Sequence, residues 1–164
     1  MRIVKLSVGV LPILFFCVFS YPTFAVEELT AHEATAKYNE ALRHIETQKY
    51  PTAIDLLSEI IESGIEDKRR LADAHNMLGF SYRKSSNINF AIEYYREALN
   101  LNPDHKGANE YIGEAYLEIN KPLLTVKHLK ILKRICGAEC PEYQKLKKSV
   151  GLFLLQSGTS LADY

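Results

Sequence analysis

Two cysteines, Cys136 and Cys140, are the residues whose type and spacing come nearest to supporting chemistry. They lie in the stretch ICGAECPEY, with three residues between them. Dithiol oxidoreductases have two intervening residues rather than three, so the spacing does not favour redox catalysis. A structural zinc site needs four ligands, and the sequence near this pair adds only His128. We therefore predict neither redox catalysis nor a metal site here.

The histidines and carboxylates also lack a catalytic arrangement. No two of the five histidines lie three or four residues apart, and HEATA at 32–36 lacks the second histidine of a zinc-protease helix. The sequence has no Gly-rich phosphate loop and no Gly-x-Ser-x-Gly motif, and its carboxylates are spread as on solvated helix faces. We predict that the protein is not an enzyme and takes no cofactor and no small-molecule substrate.

The first 25 residues have the three parts of a secretory signal peptide. Arg2 and Lys5 precede an apolar run over residues 6–19, and Thr23-Phe24-Ala25 has the pattern of a cleavage site. We predict cleavage near Ala25 and export to the bacterial periplasm. An uncleaved N-terminal membrane anchor is the alternative, although the apolar run is shorter than the ~20 residues that a spanning helix needs.

Removal of residues 1–25 changes both the charge and the cysteine count. It leaves 18 basic residues against 20 acidic ones, a net charge of −2 with histidine neutral. Because no basic excess remains, we expect no nucleic-acid binding. The two remaining cysteines are an even number in an exported chain, which favours a disulfide between Cys136 and Cys140. Two reduced, buried thiols are the alternative.

The rest of the chain has the pattern of helices joined by short turns. Apolar residues recur at spacings of three and four, and no stretch shows the sustained alternation of a β-strand. Pro, Gly and Asn signals divide the sequence into helices at 27–47, 51–62, 67–84, 88–101, a fifth that ends near 119, 122–135 and 141–155. We expect a flexible tail at 157–164.

The helices are related in pairs by a period of 34 residues. A shift of 34 places Gly79 on Gly113 and Tyr82 on Tyr116. The equivalent step from Ala53 to Ala91 is 38 residues, which indicates an insertion of four residues near the stretch DKRR. A period of this length is typical of a stacked array of helix pairs.

Residues 72–105 resemble a tetratricopeptide repeat through Leu78, Gly79, Tyr82, Ala91, Tyr95, Ala98 and Pro103. Residues 106–139 resemble a second copy, and residues 34–67 resemble a degenerate one. The resemblance implies an all-α protein, a right-handed α-solenoid of three helix pairs in which each pair covers its neighbour. The helix at 141–155 is then the C-terminal cap of a repeat domain that spans 26–156.

The resemblance also implies a concave groove, lined by the first helix of each pair, of the kind that binds peptide segments. The groove positions hold Tyr38, Asn39 and Leu42 in the first pair, Asn76, Met77, Phe80, Arg83 and Lys84 in the second, and Glu110, Tyr111 and Glu114 in the third. Repeat domains that clamp the C-terminal carboxylate of heat-shock chaperones use Lys, Asn and Arg at positions that here hold Tyr38, Leu42, Met77, Gly107 and Tyr111. That class of partner is therefore not expected.

Together these features predict a non-enzymatic scaffold for protein–protein interaction in the bacterial cell envelope. Its partner would be a protein or peptide that the sequence does not identify. One alternative is a structural or self-associating component of an envelope assembly, and another is an assembly factor or chaperone for secreted polypeptides. In a further alternative, the segment 26–33 fills the groove.

Overall fold

The computed structural model describes residues 29–163, and the predicted signal peptide lies outside them. Seven helices follow one another: α1 (Ala31–Glu46), α2 (Tyr50–Glu62), α3 (Lys68–Lys84), α4 (Ile88–Leu101), α5 (Lys106–Glu118), α6 (Pro122–Cys136) and α7 (Pro141–Ser157). A short 3₁₀ turn, Leu161–Asp163, follows α7, and no β-strand occurs in residues 29–163. The predicted all-α class is confirmed.

The helices pack in chain order as an α-solenoid. Each helix contacts the next one, and α7 contacts both α5 and α6. The first helices of neighbouring pairs are also in contact, α1 with α3 and α3 with α5. The predicted array of three helix pairs with a C-terminal capping helix is therefore confirmed. None of the helices between residues 29 and 163 is long and apolar enough to cross a membrane.

The turn inside each pair repeats the same backbone geometry. One residue in each turn has a positive φ: 58° at Gln48, 63° at Ser86 and 57° at Asn120. In each turn, the following N–H donates to the carbonyl five residues earlier, from Lys49 to His44 (2.8 Å), Asn87 to Tyr82 (2.9 Å) and Lys121 to Tyr116 (2.8 Å). These turn residues are 38 and 34 residues apart, the same two spacings that relate the helix pairs in the sequence.

The four inserted residues form an additional helical turn at the start of α3. This helix has 17 residues, whereas its equivalent α5 has 13. The Asp67 side chain caps the extra turn by accepting a hydrogen bond of 3.0 Å from the N–H of Arg69. The Arg70 guanidinium donates to the carbonyl of Ala31. The insertion therefore ties α3 to the beginning of α1.

Small residues allow the paired helices to approach closely. A Cβ atom on Gly79 of α3 would lie 2.8 Å from the Tyr95 ring and 3.0 Å from the carbonyl oxygen of Ala91, both on α4. A Cβ atom on Gly113 of α5 would lie 2.6 Å from the side chain of Leu146 of α7. The first contact shows that α3 and α4 cross closely at Gly79 and Ala91. The second shows how the cap closes on the third pair.

Helix α1 begins later than the periodicity predicts. Thr30 and Glu33 form a capping box, in which Thr30 Oγ1 accepts from the Glu33 N–H at 3.3 Å and the Glu33 carboxylate accepts from the Thr30 N–H at 2.8 Å. This box starts the helix at Ala31, so the predicted start at Glu27 is wrong. Spacing alone did not distinguish helical residues from the segment that precedes the cap.

Candidate functional site

The predicted groove residues lie along the first helices of the three pairs, but their accessibility differs. Asn39 and Lys84 are exposed, whereas Tyr38, Leu42, Met77, Phe80, Arg83, Tyr111 and Glu114 are partly buried, and Asn76 and Glu110 are buried. Asn76 and Glu110 are each only 4% exposed, so they offer little surface to a ligand. The accessible surface is therefore mainly aromatic and aliphatic, with charged residues at its edge.

Arg83 lies beside two aromatic residues of this surface, Phe80 and Tyr111. Its guanidinium lies 5.8 Å from the ring centroids of both Phe80 and Tyr111, and it donates to Glu114 at 2.7 Å and to Glu118 at 2.8 Å. The side chain is only 7% exposed. Burial opposes the charge, but Tyr95 and the two carboxylates outweigh it and raise the pKa of Arg83. The five residues Phe80, Arg83, Tyr111, Glu114 and Glu118 are called the Arg83 cluster below.

The N-terminal half of the groove is more polar. Tyr38 lies with Thr35, Asp67, Arg69, Arg70 and Asp73 around a cavity of about 300 Å³ between α1 and α3. Burial raises the pKa of Tyr38 to about 12, with smaller effects from Asp73 and Tyr111. The phenol is therefore neutral near pH 7 and can both donate and accept a hydrogen bond.

Helix α7 covers the C-terminal side of the predicted groove. Lys145 Nζ lies 3.6 Å from Glu110 Oε1, and Ser149 Oγ lies 3.5 Å from Glu114 Oε1. Burial raises the pKa of Glu110 to about 7, because desolvation outweighs the attraction of Lys145. Both carboxylates that were predicted as groove residues thus have partners inside the protein.

A cleft of about 400 Å³ opens between α5 and α7, next to the Arg83 cluster. Leu117, Leu152 and Phe153 contribute its apolar lining, and Ser149 and Gln156 add polar atoms. Leu152 is 48% exposed. These α7 residues are not among the groove residues predicted from the sequence, where α7 was expected only to cap the array. In the sequence, the apolar residues 152 and 153 after Val150 were the feature that could have indicated a second apolar face on α7.

His105 connects the second and third pairs, a role that the sequence analysis did not find. Its Nδ1 accepts a hydrogen bond of 3.1 Å from the Ala108 N–H, so the ring caps α5. Its Nε2 therefore carries the proton and donates to Asp73 Oδ1 of α3 at 3.0 Å. Only the fold brings Asp73 to this histidine, because 32 residues separate the two in the sequence.

The two cysteines lie at the junction between α6 and α7. Cys136 is the last residue of α6, and Cys140 is the N-cap of α7. The structure joins their sulfurs and places their Cα atoms 5.7 Å apart, within the range that a disulfide allows. The oxidation state of the pair in the cell stays a prediction, which thiol counting tests.

A family model for the tetratricopeptide repeat matches residues 72–105. Residues 72–105 are a tetratricopeptide repeat. The match spans the paired helices whose close crossing is made by Gly79, Ala91 and Tyr95. No curated protein matches the chain.

The tetratricopeptide-repeat fold extends over most of the chain, as solved structures of low sequence identity show. SycD, a type III secretion translocator chaperone of Yersinia enterocolitica, gives a TM-score of 0.65 at 17% identity, over 79% of this chain and 95% of SycD. PcrH, solved in complex with the chaperone binding region of PopB, gives 0.64 at 13% identity, over 78% of this chain and 99% of PcrH. YrrB, a tetratricopeptide-repeat protein with an unusual peptide-binding site, gives 0.61 at 17% identity, over 78% of this chain and 62% of YrrB.

Within the tetratricopeptide repeat, packing residues and groove residues are different sets. Leu78, Gly79, Ala91, Tyr95 and Ala98 are buried. On α3, Met77, Phe80, Arg83 and Lys84 keep part of their surface accessible. The family pattern therefore accounts for the fold, while any selectivity for a ligand depends on the second set.

Proposed function

We propose that this chain is a non-enzymatic scaffold whose concave groove binds a peptide segment of another protein. The observation that carries the proposal is the row of partly exposed side chains Tyr38, Met77, Phe80 and Tyr111 on three adjacent helices. Aromatic and Met side chains are enriched where protein interfaces bury most of their surface. Grooves between helices commonly receive extended or helical segments of a partner.

The chemistry of the groove favours a segment with apolar anchor residues. Phe80 and Tyr111 lie with their ring centroids 5.1 Å apart, and the charge of Arg83 is already balanced by two carboxylates. An incoming carboxylate would have to displace these partners, whereas an apolar side chain could pack on the rings and in the neighbouring α5–α7 cleft.

The similarity in fold supports a peptide or protein ligand. SycD has been solved with a peptide of the translocator YopD, and PcrH with a region of PopB. By analogy, we propose that the array in this chain receives a polypeptide segment in the same general manner. An assembly factor or chaperone for secreted polypeptides is the version of this proposal in which the partner is not yet folded.

We further propose that the scaffold works in the bacterial cell envelope, after cleavage near Ala25. This proposal rests on the signal-peptide pattern of residues 1–25. Mass spectrometry of the chain recovered from the periplasm of an expressing bacterium tests it. A mature chain beginning at Val26 is expected, and a chain that keeps Met1 in the membrane fraction would instead indicate an anchor.

Self-association is the second candidate, because apolar residues are exposed on α7. Leu152 and Leu155 are 48% and 81% exposed. Size-exclusion chromatography with light scattering, on wild type and on Leu155→Glu, separates the two functions. A dimer that the substitution dissolves would favour the self-associating component, and a monomer at all concentrations would exclude it.

The test of the groove is a pull-down from an envelope fraction with wild type and Phe80→Glu plus Tyr111→Glu. The matched control is Phe90→Glu plus Leu123→Glu, which places the same charges on residues 53% and 47% exposed outside the groove. We expect the control to recover the wild-type partners and the groove variant to lose them. Circular dichroism must show that both variants are folded. Recovery of the same partners by a folded groove variant would exclude the groove as the binding site.

A milder groove variant changes exposed residues at the rim. Asn39 and Lys84 are both exposed, so Asn39→Lys plus Lys84→Glu alters the charge there and removes only the contact of Lys84 Nζ with the Phe80 ring. If a partner binds across the groove, its association rate should change with little effect on stability.

A further inference from the structure

Three groups with metal-binding atoms meet at the α6–α7 junction. The Sγ atoms of Cys136 and Cys140 and a carboxylate oxygen of Glu142 all lie within 4.8 Å of one another, and all three residues are partly buried. Cys136 ends α6, Cys140 caps α7, and Glu142 lies in the first turn of α7. No other group of three such residues occurs in the part of the chain that the structure describes.

Glu142 gives a second, independent observation at this junction. Its Oε2 atom is buried and has no hydrogen-bond partner among residues 29–163. The neighbouring carboxylate of Glu110 is buried, and Lys145 pairs with Glu110 rather than with Glu142. A buried carboxylate oxygen without a donor is unfavourable. A cation held by Glu142 would remove this cost.

The backbone around the cysteines suits two thiolates. Cys140 is the N-cap of α7, so its sulfur lies near the positive end of the helix dipole. Gly137 has a φ of 82°, which lets the chain turn back and brings the cysteine Cα atoms to 5.7 Å. After reduction, rotation of the two side chains can place both sulfurs about 2.3 Å from a single tetrahedral ion.

We propose that the junction, when its cysteines are reduced, binds one thiophilic d¹⁰ cation such as Zn²⁺ through Cys136, Cys140 and Glu142. Three protein ligands leave the fourth position of a tetrahedral ion to water. The sequence-based prediction of no metal site counted only cysteine and histidine and overlooked this carboxylate. The metal site goes beyond the binding of a partner protein and does not depend on it.

The two states of the junction are linked by ordinary thiol chemistry. A dithiol reductant transfers two electrons and two protons to the disulfide, which yields two cysteine thiols and the oxidised reductant. Zn²⁺ then binds two thiolates and releases both thiol protons, while the metal remains divalent. Either the disulfide or the metal would tie the end of α6 to the start of α7.

The test uses the full chain with Cys17→Ser, so that only two cysteines remain. The protein is reduced with a dithiol, freed of it without oxygen, and titrated with Co²⁺. We expect thiolate-to-cobalt charge-transfer absorption that saturates at one Co²⁺ per chain, and displacement by one equivalent of Zn²⁺. Zn²⁺ should also protect both thiols from a thiol reagent. Cys136→Ser plus Cys140→Ser should abolish the absorption.

Glu142→Gln is the decisive variant for the third ligand, and Glu139→Gln is its matched control. Glu139 is exposed on the same connection and is not one of the three groups. We expect Glu142→Gln to weaken Zn²⁺ binding at least about tenfold and Glu139→Gln to leave it unchanged. Absence of charge-transfer absorption in the reduced chain would overturn the site, and equal Zn²⁺ affinity of the two variants would overturn the role of Glu142.

Discussion

His128 of α6 and Asn109 of α5 form a hydrogen bond of 2.8 Å between His128 Nδ1 and Asn109 Oδ1. The amide nitrogen of Asn109 already donates to the carbonyl oxygens of Pro103 at 3.1 Å and His105 at 3.0 Å. Asn109 Oδ1 is therefore the acceptor, and His128 donates from Nδ1. The bond joins the two helices of the third pair, and Asn109 is fully buried.

This geometry predicts that the protein loses stability in acid through His128. Burial, with a smaller effect of Lys127, lowers the pKa of His128 to about 4. The unfolded chain binds a proton below its ordinary pKa of about 6.5, whereas the folded chain does not. The free energy of unfolding should therefore fall between pH 6.5 and pH 4, by about 2–3 kcal/mol.

Urea unfolding across this pH range checks the prediction with His128→Gln, which keeps a donor for Asn109 but does not titrate. The variant should show a shallower loss of stability than wild type. His32→Gln, at an exposed position of α1, should keep the wild-type slope. Identical slopes for wild type and His128→Gln would exclude His128 as the source.

Glu110 should act in the opposite direction. Because burial raises its pKa to about 7, the unfolded chain releases this proton from about pH 4.5 upward, before the folded chain does. Stability is therefore lost as the pH rises from 4.5 towards 7. Glu110→Gln should raise the free energy of unfolding at pH 8 by about 1–3 kcal/mol and leave it nearly unchanged at pH 4. The exposed Glu46→Gln is the control, and a loss of stability at pH 8 in Glu110→Gln would contradict the prediction.

Gly79→Ala should destabilise the protein because the new Cβ would lie 2.8 Å from the ring of the fully buried Tyr95. We expect a loss of about 1–3 kcal/mol in thermal or urea unfolding. Gly151→Ala is the matched control, since nothing lies within 4 Å of a Cβ there. That substitution in a helix interior should instead stabilise by up to about 1 kcal/mol. Equal effects of the two would refute the close crossing of α3 and α4.

Arg83→Lys should lower stability, because lysine cannot reproduce the paired contacts to Glu114 and Glu118 or the planar contact of a guanidinium with aromatic rings. We expect a loss of about 1–3 kcal/mol in urea unfolding. Arg134 also pairs with a carboxylate, Asp104, but those side chains are 64% and 59% exposed. Arg134→Lys should therefore change stability by less than about 0.5 kcal/mol. A comparable loss in both variants would argue against the Arg83 cluster.

The chain that begins at Val26, recovered from an oxidising compartment and denatured without reductant, should contain no titratable thiol. This result would follow from the Cys136–Cys140 disulfide, which the 5.7 Å Cα separation permits. Removal of the pair by Cys136→Ser plus Cys140→Ser should lower stability by about 2 kcal/mol, because the closed loop is short. Two free thiols in the wild type would contradict the disulfide.

The fold was predictable because each of its determinants is local or recurs along the sequence. Gly79 and Gly113 mark two close approaches, Pro122 and Pro141 open helices, and the 34-residue period relates one pair to the next. The insertion at DKRR was located correctly by the break in that period. Its form, an added turn of α3 capped by Asp67, required the backbone.

The site was less predictable because its chemistry depends on residues that are distant in sequence. Glu110 was placed on the correct helix, but its partner Lys145 lies on α7, 35 residues further along the chain. Arg83 was placed in the groove, yet its partners Glu114 and Glu118 lie 31 and 35 residues away. A pattern along a single helix cannot show which neighbours will meet its side chains.

The three left-handed turn residues have a consequence for how this array can be altered. Gln48, Ser86 and Asn120 differ in side chain but all adopt a left-handed backbone conformation with positive φ. The three pairs therefore share this turn conformation and not a particular residue type. Glycine at any of the three should relieve the strain of a positive φ without touching the helices. The turns also fix the register between the two helices of a pair. Whole pairs could therefore be exchanged as cassettes while the contacts within each pair are kept.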